Sequence, residues 1–149
     1  MDEINPTALL PALKITNAET GEHVDTLTQS LAIIEFLLAY KPSTTVSLLP
    51  SDILKKAHVM EIVLTIACDI HPVQNLRVLQ SYPEADRPQR AKEVIAQGLR
   101  AVEAFIRKGL STIDNAGEVH FCYGDKVSLA DVVLVPQVYN ARRYNLLIL

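Results

Sequence analysis

The sequence contains no Trp, only two Cys, and no block of basic residues. Its 14 Lys and Arg are outnumbered by 17 Asp and Glu, giving a formal net charge of −3. Without a basic stripe there is no electrostatic footprint for nucleic acid. Cys68 and Cys122 stand alone in apolar settings with no C-x-x-C spacing. They read as buried small hydrophobes of a reducing compartment, and no metal site is expected. No apolar run reaches the ~18 residues of a membrane span. Met1-Asp2-Glu3 opens acidic, unlike a signal or transit peptide. These absences point to a cytoplasmic protein with no nucleic-acid or membrane partner. Internal repeats and low-complexity tracts are missing too. What is present is ordinary globular material, 49% apolar and 21% charged. A chain of 149 residues forms one domain, or one and a fraction, and can bury about 68–70% of its unfolded surface.

The stretch 124–136 is the most informative. Ser128 and Asp131 stand as Ser-x-x-Asp ahead of an apolar run, the spacing of a capping box. In such a box the serine hydroxyl takes the amide of the third helical residue, and the acidic side chain reaches back to the serine amide. Val127 and Val132 hold the two positions of a hydrophobic staple. The run behind them is apolar on nearly every side, which predicts a buried central helix. Pro136 lies inside it, removing one hydrogen bond and bending the axis.

Upstream, residues 4–11 read as loop. Residues 12–16 and 23–28 alternate like strands around turn-forming residues 17–21, which predicts a hairpin. Ser30 caps a helix whose apolar face is Leu31, Ile34, Leu37 and Leu38, ending near Tyr40. Residues 41–50 read as a linker. A long helical pattern follows over 51–82. Lys55, His58, Glu61, Thr65 and Asp69 form its polar stripe; Ala57, Met60, Leu64 and Ala67 form its apolar one. Pro72 should bend this helix around His71. Asp86 caps the next helix, with Pro88 in the first turn and Gln89 reaching back. Ala91, Ile95, Gly98, Val102 and Phe105 recur at alternating 4,3 spacing, the seam of a helix packed nearly antiparallel on a neighbour. Residues 116–118 turn the chain, and Phe121-Cys122-Tyr123 fills a corner before the capped helix. The order is β-β-α, a linker, then three helices.

Three segments in this order, Leu10-Pro11-Ala12-Leu13, Gln29-Ser30-Leu31-Ala32-Ile33 and the Gly124-to-Asp131 stretch, resemble the glutathione transferase fold. Asn5-Pro6, Leu48-Leu49-Pro50, Ile70-His71-Pro72-Val73-Gln74-Asn75-Leu76, Val135-Pro136-Gln137-Val138 and Asn140-Ala141-Arg142-Arg143-Tyr144 resemble its zeta class, the maleylacetoacetate isomerases. The similarity runs from Asn5 to about Tyr144. It implies a glutathione transferase-like fold. Residues 1–42 would be the later half of a thioredoxin-like glutathione-binding domain, a ββα remnant, and residues 43–149 an incomplete all-α bundle domain. It also implies glutathione as cofactor and a small dicarboxylate substrate. The reaction would be glutathione-dependent cis–trans isomerisation of maleylacetoacetate to fumarylacetoacetate, in phenylalanine and tyrosine breakdown.

Residue by residue, the resemblance implies that Leu10 pairs its backbone with the cysteinyl part of glutathione and that Pro11 is cis. Gln29 and Ser30 would hold the γ-glutamyl group. Their place at a helix N-terminus suits an anion, although Ser30 taken alone reads as a helix cap. His71, Gln74 and Asn75 share a helix face at i, i+3 and i+4 spacing. The resemblance places His71, Asn75 and Arg77 in the glutathione site, while a helical wheel points Arg77 elsewhere. Arg143 matches a family arginine that would clamp a dicarboxylate. Taken alone, it reads as a cation favourably placed near a helix C-terminus.

Two departures from the family pattern are expected to matter. The chain opens after the family's first βαβ unit, which carries the Ser/Cys motif whose hydroxyl stabilises the glutathione thiolate. No residue here replaces it, so the sequence offers no catalytic residue. At the other end, residues 145–149 form an apolar tail where the family continues through further helices. An open hairpin edge and uncovered apolar surface imply self-association, through homodimer faces or otherwise. Two functions are compatible with these features: an isomerase-like protein impaired by loss of that motif, and a non-catalytic helical association module or truncated remnant.

Overall fold

The computed structural model describes residues 5–40, 47–110 and 121–146. They divide between two compact units, Met1–Ser47 and Leu48–Leu149. Most of the expected linker, the turn at 116–118 and the end of the apolar tail lie outside the described residues.

The first unit is built on an antiparallel hairpin of β1 (Ala12–Thr16) and β2 (His23–Thr28). Its turn follows from Asn17, whose side-chain oxygen accepts the amides of Glu19 at 2.8 Å and Thr20 at 3.0 Å. Gly21 completes the turn at φ +71°, where a Cβ is unwelcome. Ala12 pairs with Thr28, Leu13 with Leu27 and Lys14 with Thr26, and the register slips once, between Ile15 and Thr16. This register sets Pro11, just before β1, and Gln29, just after β2, at the same end of the hairpin. From that end α1 (Ser30–Tyr40) departs and packs on both strands. Its expected apolar face is only partly realised, since Ile33 is the buried residue and Leu37 stays exposed. The run is apolar almost all round, so periodicity alone does not choose the buried side.

In the second unit, α2 (Ile53–Leu64) begins at Asp52, whose carboxylate accepts the Lys55 amide at 2.8 Å. A π-helical segment (Thr65–Ile70) carries the chain on into two short helices, α3 (His71–Gln74) and α4 (Leu76–Leu79). The stripe of Ala57, Met60, Leu64 and Ala67 is not the core-facing one: Ala57 and Leu64 are exposed. Val59, Ile62, Val63, Ile66 and Ile70 are buried instead. The segment offers two apolar stripes. The β-branched one removes more apolar area from water, at roughly 1.5–3 kcal/mol per buried Val or Ile. Cys68, expected to be buried, lies outside that stripe and is exposed.

The bend expected at His71 is distributed over two places. Before Pro72 the helix widens, and the His71 amide bonds to the Ile66 carbonyl five residues back. The wider turn accommodates a ring that would clash with the preceding turn of a regular α-helix. Thr65 contributes by donating its hydroxyl to the Glu61 carbonyl at 2.8 Å. The helix then breaks at Asn75, which is extended at φ −63° and ψ 134°.

A 3₁₀ turn (Glu84–Asp86) leads into α5 (Arg87–Leu110). Gln89, expected to reach back to Asp86, donates forward to Glu93 at 2.9 Å. Arg87 ties down the preceding chain by donating to the Tyr82 carbonyl at 3.0 Å. The 4,3 seam is realised, with Ala91, Ile95, Gly98 and Val102 buried and Phe105 half-buried. Gly98 faces Ile70, and an added Cβ would overlap the isoleucine Cγ1 and Cδ1.

α6 (Leu129–Arg143) runs unbroken across Pro136. It is not buried all round. Leu129, Ala130, Gln137 and Ala141 are buried, whereas Val132, Val135 and Tyr139 are exposed. α2, α5 and the π segment meet it on the buried side. The staple pair Val127 and Val132 both remain partly exposed. No helix among the described residues is long and apolar enough to cross a membrane.

Candidate functional site

In the first unit the approach to β1 is organised by Asn5, which is buried. Its side-chain oxygen accepts the Thr7 amide at 2.9 Å and the Thr7 hydroxyl at 2.8 Å, and its Nδ2 donates to the Leu9 carbonyl. The loop so fixed delivers Leu10 and Pro11, both exposed, and the peptide bond between them is cis.

At the other strand's end Gln29 adopts φ +70°. Its carbonyl accepts the Ile33 amide at 3.0 Å, the first intrahelical bond of α1. Gln29 is therefore the N-cap and Ser30 the first helical residue, a correction to the expectation that Ser30 caps. The amides of Ser30, Leu31 and Ala32 have no intrahelical acceptor and stand at the positive end of the helix dipole. A non-glycine residue in the left-handed region costs on the order of 1–3 kcal/mol and persists only where surrounding structure holds it. Both Gln29 and Ser30 are exposed.

The second unit divides the expected face of His71, Gln74 and Asn75. His71 opens α3 and is exposed along part of its ring. Partial burial depresses its pKa, and a hydrogen bond with the Gln137 side chain opposes that shift. Gln74 turns inward and pairs with Gln137 in both directions: its Nε2 donates to Gln137 Oε1 at 2.8 Å, and Gln137 Nε2 donates back at 3.2 Å. Asn140 Nδ2 donates to the same Gln74 oxygen at 2.7 Å. Asn75 has left the helix, and its side-chain oxygen caps α4 by accepting the Arg77 amide at 2.9 Å. Arg77 itself is exposed on α4. Arg143 is exposed in the last turn of α6, where its charge meets the negative end of the dipole. Gln137 is a residue that no sequence pattern marks as part of a site. The signal for it was slight: one amide within an apolar run, at a position that the helix buries completely.

The start of α6 is fastened as its spacing requires. The capping box forms. Asp131 Oδ2 accepts both the amide and the hydroxyl of Ser128 at 2.7 Å, and its Oδ1 accepts the Cys122 amide at 2.7 Å. The Leu129 amide donates to the Leu48 carbonyl at 2.8 Å. Partial burial pushes the Asp131 carboxyl up, but the donors on Cys122 and Ser128 outweigh it and hold the pKa below the usual value. Burial, followed by the Asp131 hydrogen bond and charge, pushes the Cys122 thiol up to about 12. That thiol is a packing group and not a nucleophile.

No family model matches the chain. Known proteins do. It is 43% identical over 143 residues to a probable maleylacetoacetate isomerase 2 of Drosophila melanogaster, covering 96% of this chain and 56% of that protein. Among solved structures it is similar to a maleylacetoacetate isomerase of Anaeromyxobacter dehalogenans with bound dicarboxyethyl glutathione and citrate in the active site. The TM-score there is 0.78 at 34% identity, over 99% of this chain and 63% of that one. It is also similar to the holo structure of a maleyl pyruvate isomerase, a bacterial glutathione S-transferase of the zeta class. In that case the TM-score is 0.77 at 34% identity, with coverage of 97% and 64%. The chain thus spans less than two thirds of the length of these relatives. Its hairpin and first helix correspond to a thioredoxin-like ββα portion, and its helices to the all-α portion of a glutathione transferase-like fold. By sequence and by fold, the chain belongs to the zeta-class glutathione transferases, the family of the maleylacetoacetate isomerases.

Proposed function

We propose that this chain binds glutathione and serves a glutathione-dependent cis–trans isomerisation of maleylacetoacetate to fumarylacetoacetate, in phenylalanine and tyrosine catabolism. Residues 1–42 supply Leu10, Pro11, Gln29 and Ser30 as glutathione contacts; residues 43–149 supply His71, Asn75 and Arg77. Arg143 clamps a carboxylate of the substrate, where a planar guanidinium suits bidentate recognition.

The observation that carries this reading is Gln29. It is a non-glycine residue held at φ +70° at the mouth of a helix, its following amides unclaimed by the helix. The donors fit the ligand's chemistry. Glutathione carries two carboxylates and amide groups, and the chain offers first-turn amides, a dipole end, a cation and side-chain amides. When bound, glutathione supplies a thiolate that adds reversibly to the double bond and so frees it to rotate. The chain's own buried thiol, Cys122, is unsuited to that step. The relatives named above, one solved with dicarboxyethyl glutathione and citrate, support the same ligand classes. A cytoplasmic location and self-association as a homodimer belong to the same reading.

A second function, a non-catalytic association module, is favoured by the apolar side chains that α2 and α6 leave exposed, Ile53, Leu54, Val132, Val135 and Tyr139. Calorimetry with glutathione, followed by an isomerase assay, separates the two. Saturable heat in the millimolar range or tighter, with turnover, is expected of the first. No heat at several millimolar would leave only association.

A further inference from the structure

Gln137 is fully buried, and a buried amide is costly unless its donors and acceptors are met. Here they are met by α3. Gln137 and Gln74 exchange two hydrogen bonds at 2.8 and 3.2 Å, and Asn140 donates to the remaining site on the Gln74 oxygen at 2.7 Å. No buried side-chain polar atom among the described residues is left without a partner. These bonds hold Gln74, the last residue of α3, while His71 stands at its start. A helix of four residues has no stability of its own, so its ends are set by what holds them. Directly after Gln74 the chain turns extended at Asn75, whose side-chain oxygen caps α4.

We propose that Gln137 is a positioning residue: by holding Gln74 it sets where α3 ends, and thereby places His71 at the start of that helix and Asn75 just beyond it for glutathione. The proposal rests on the glutathione reading above. Hydrogen bonds between amides are directional, so this pairing specifies one arrangement where an apolar contact would tolerate several.

The test uses the full chain with Gln137→Met, the double variant Gln74→Met/Gln137→Met, and Asn140→Ala. The single Met variant strands the Gln74 amide and lowers Tm. The double variant replaces both partners by apolar groups of similar shape, so most of the Tm should return. Its glutathione affinity by calorimetry should nevertheless stay at least tenfold weaker than that of the unsubstituted chain. The NMR signals of the His71 ring and the Asn75 amide should stay displaced. Asn140→Ala, at a half-buried position, should keep its Tm within a few degrees and weaken binding several-fold. A double variant with restored Tm, unchanged affinity and unmoved His71 and Asn75 signals would overturn the proposal. If the double variant does not fold, Asn140→Ala with unchanged affinity and unmoved signals overturns it equally. If the unsubstituted chain gives no glutathione heat, the glutathione reading itself fails. The NMR signals then still decide whether Gln137 positions α3.

Discussion

Asp131 does three things with one side chain. It closes the capping box, holds the Ser128 hydroxyl and anchors the Cys122 amide. Asp131→Asn turns an acceptor-only group into one that points a donor at donors. We expect it to cost about 2–4 kcal/mol by chemical denaturation, more than the loss of an exposed cap. The same carboxylate makes stability depend on pH. Its folded pKa is depressed, so the unfolded chain binds the proton first and stability falls as acid passes below the usual carboxylate range. His71 works with the same sign, because its folded pKa is also lowered. The native state prefers a neutral ring, and its contribution is present above about pH 6.5 and lost on acidification. Denaturation midpoints between pH 7 and pH 5 should therefore fall less steeply for His71→Gln than for the unsubstituted chain. The two cysteines give a third expectation at this scale. Cys68 is exposed and Cys122 buried, with a thiol pushed up to about 12. A disulfide-exchange reagent at neutral pH should titrate one thiol rapidly in the native chain and both after unfolding.

Among elements, α5 packs against the π segment. Gly98 lies where a methyl group would overlap Ile70, which is fully buried and stiff at χ1. Gly98→Ala gains about 1 kcal/mol of helix propensity. Overpacking a rigid core costs typically 1–3 kcal/mol. Overpacking is the larger of the two, so the variant should melt several degrees lower in a thermal scan. Elements also show what a sequence can carry. The hairpin, the 4,3 seam of α5 and the capping box were legible because each is specified by residues a few positions apart. The buried stripe of α2 differs from the one its pattern predicts because the sequence is apolar on more than one side, and the winning face depends on what lies opposite. The i, i+4 spacing predicts Asn75 on a helix face with His71, yet Asn75 ends that helix. The widening before Pro72 and the Gln74–Gln137 pair decide this, and the pair spans 63 positions that no local pattern links. Gln137 itself was legible only as one amide in an apolar run.

At the scale of the molecule, the family resemblance carried more than periodicity did. It supplied Leu10, Pro11, Gln29 and Ser30 together, and the strand register sets Pro11 and Gln29 at one end of the hairpin. The apolar side chains exposed on α2 and α6 argue that the isolated chain associates. Light scattering at micromolar concentration should report a mass above that of a monomer, and a monodisperse monomer would refute association. Glutathione binding is tested most directly by an amide NMR titration of the full chain with reduced glutathione. Saturable shifts at Gln29, Ser30 and Leu31, accompanied by shifts at His71 and Asn75, are the expected result. Unmoved signals at these residues at several millimolar glutathione would contradict it.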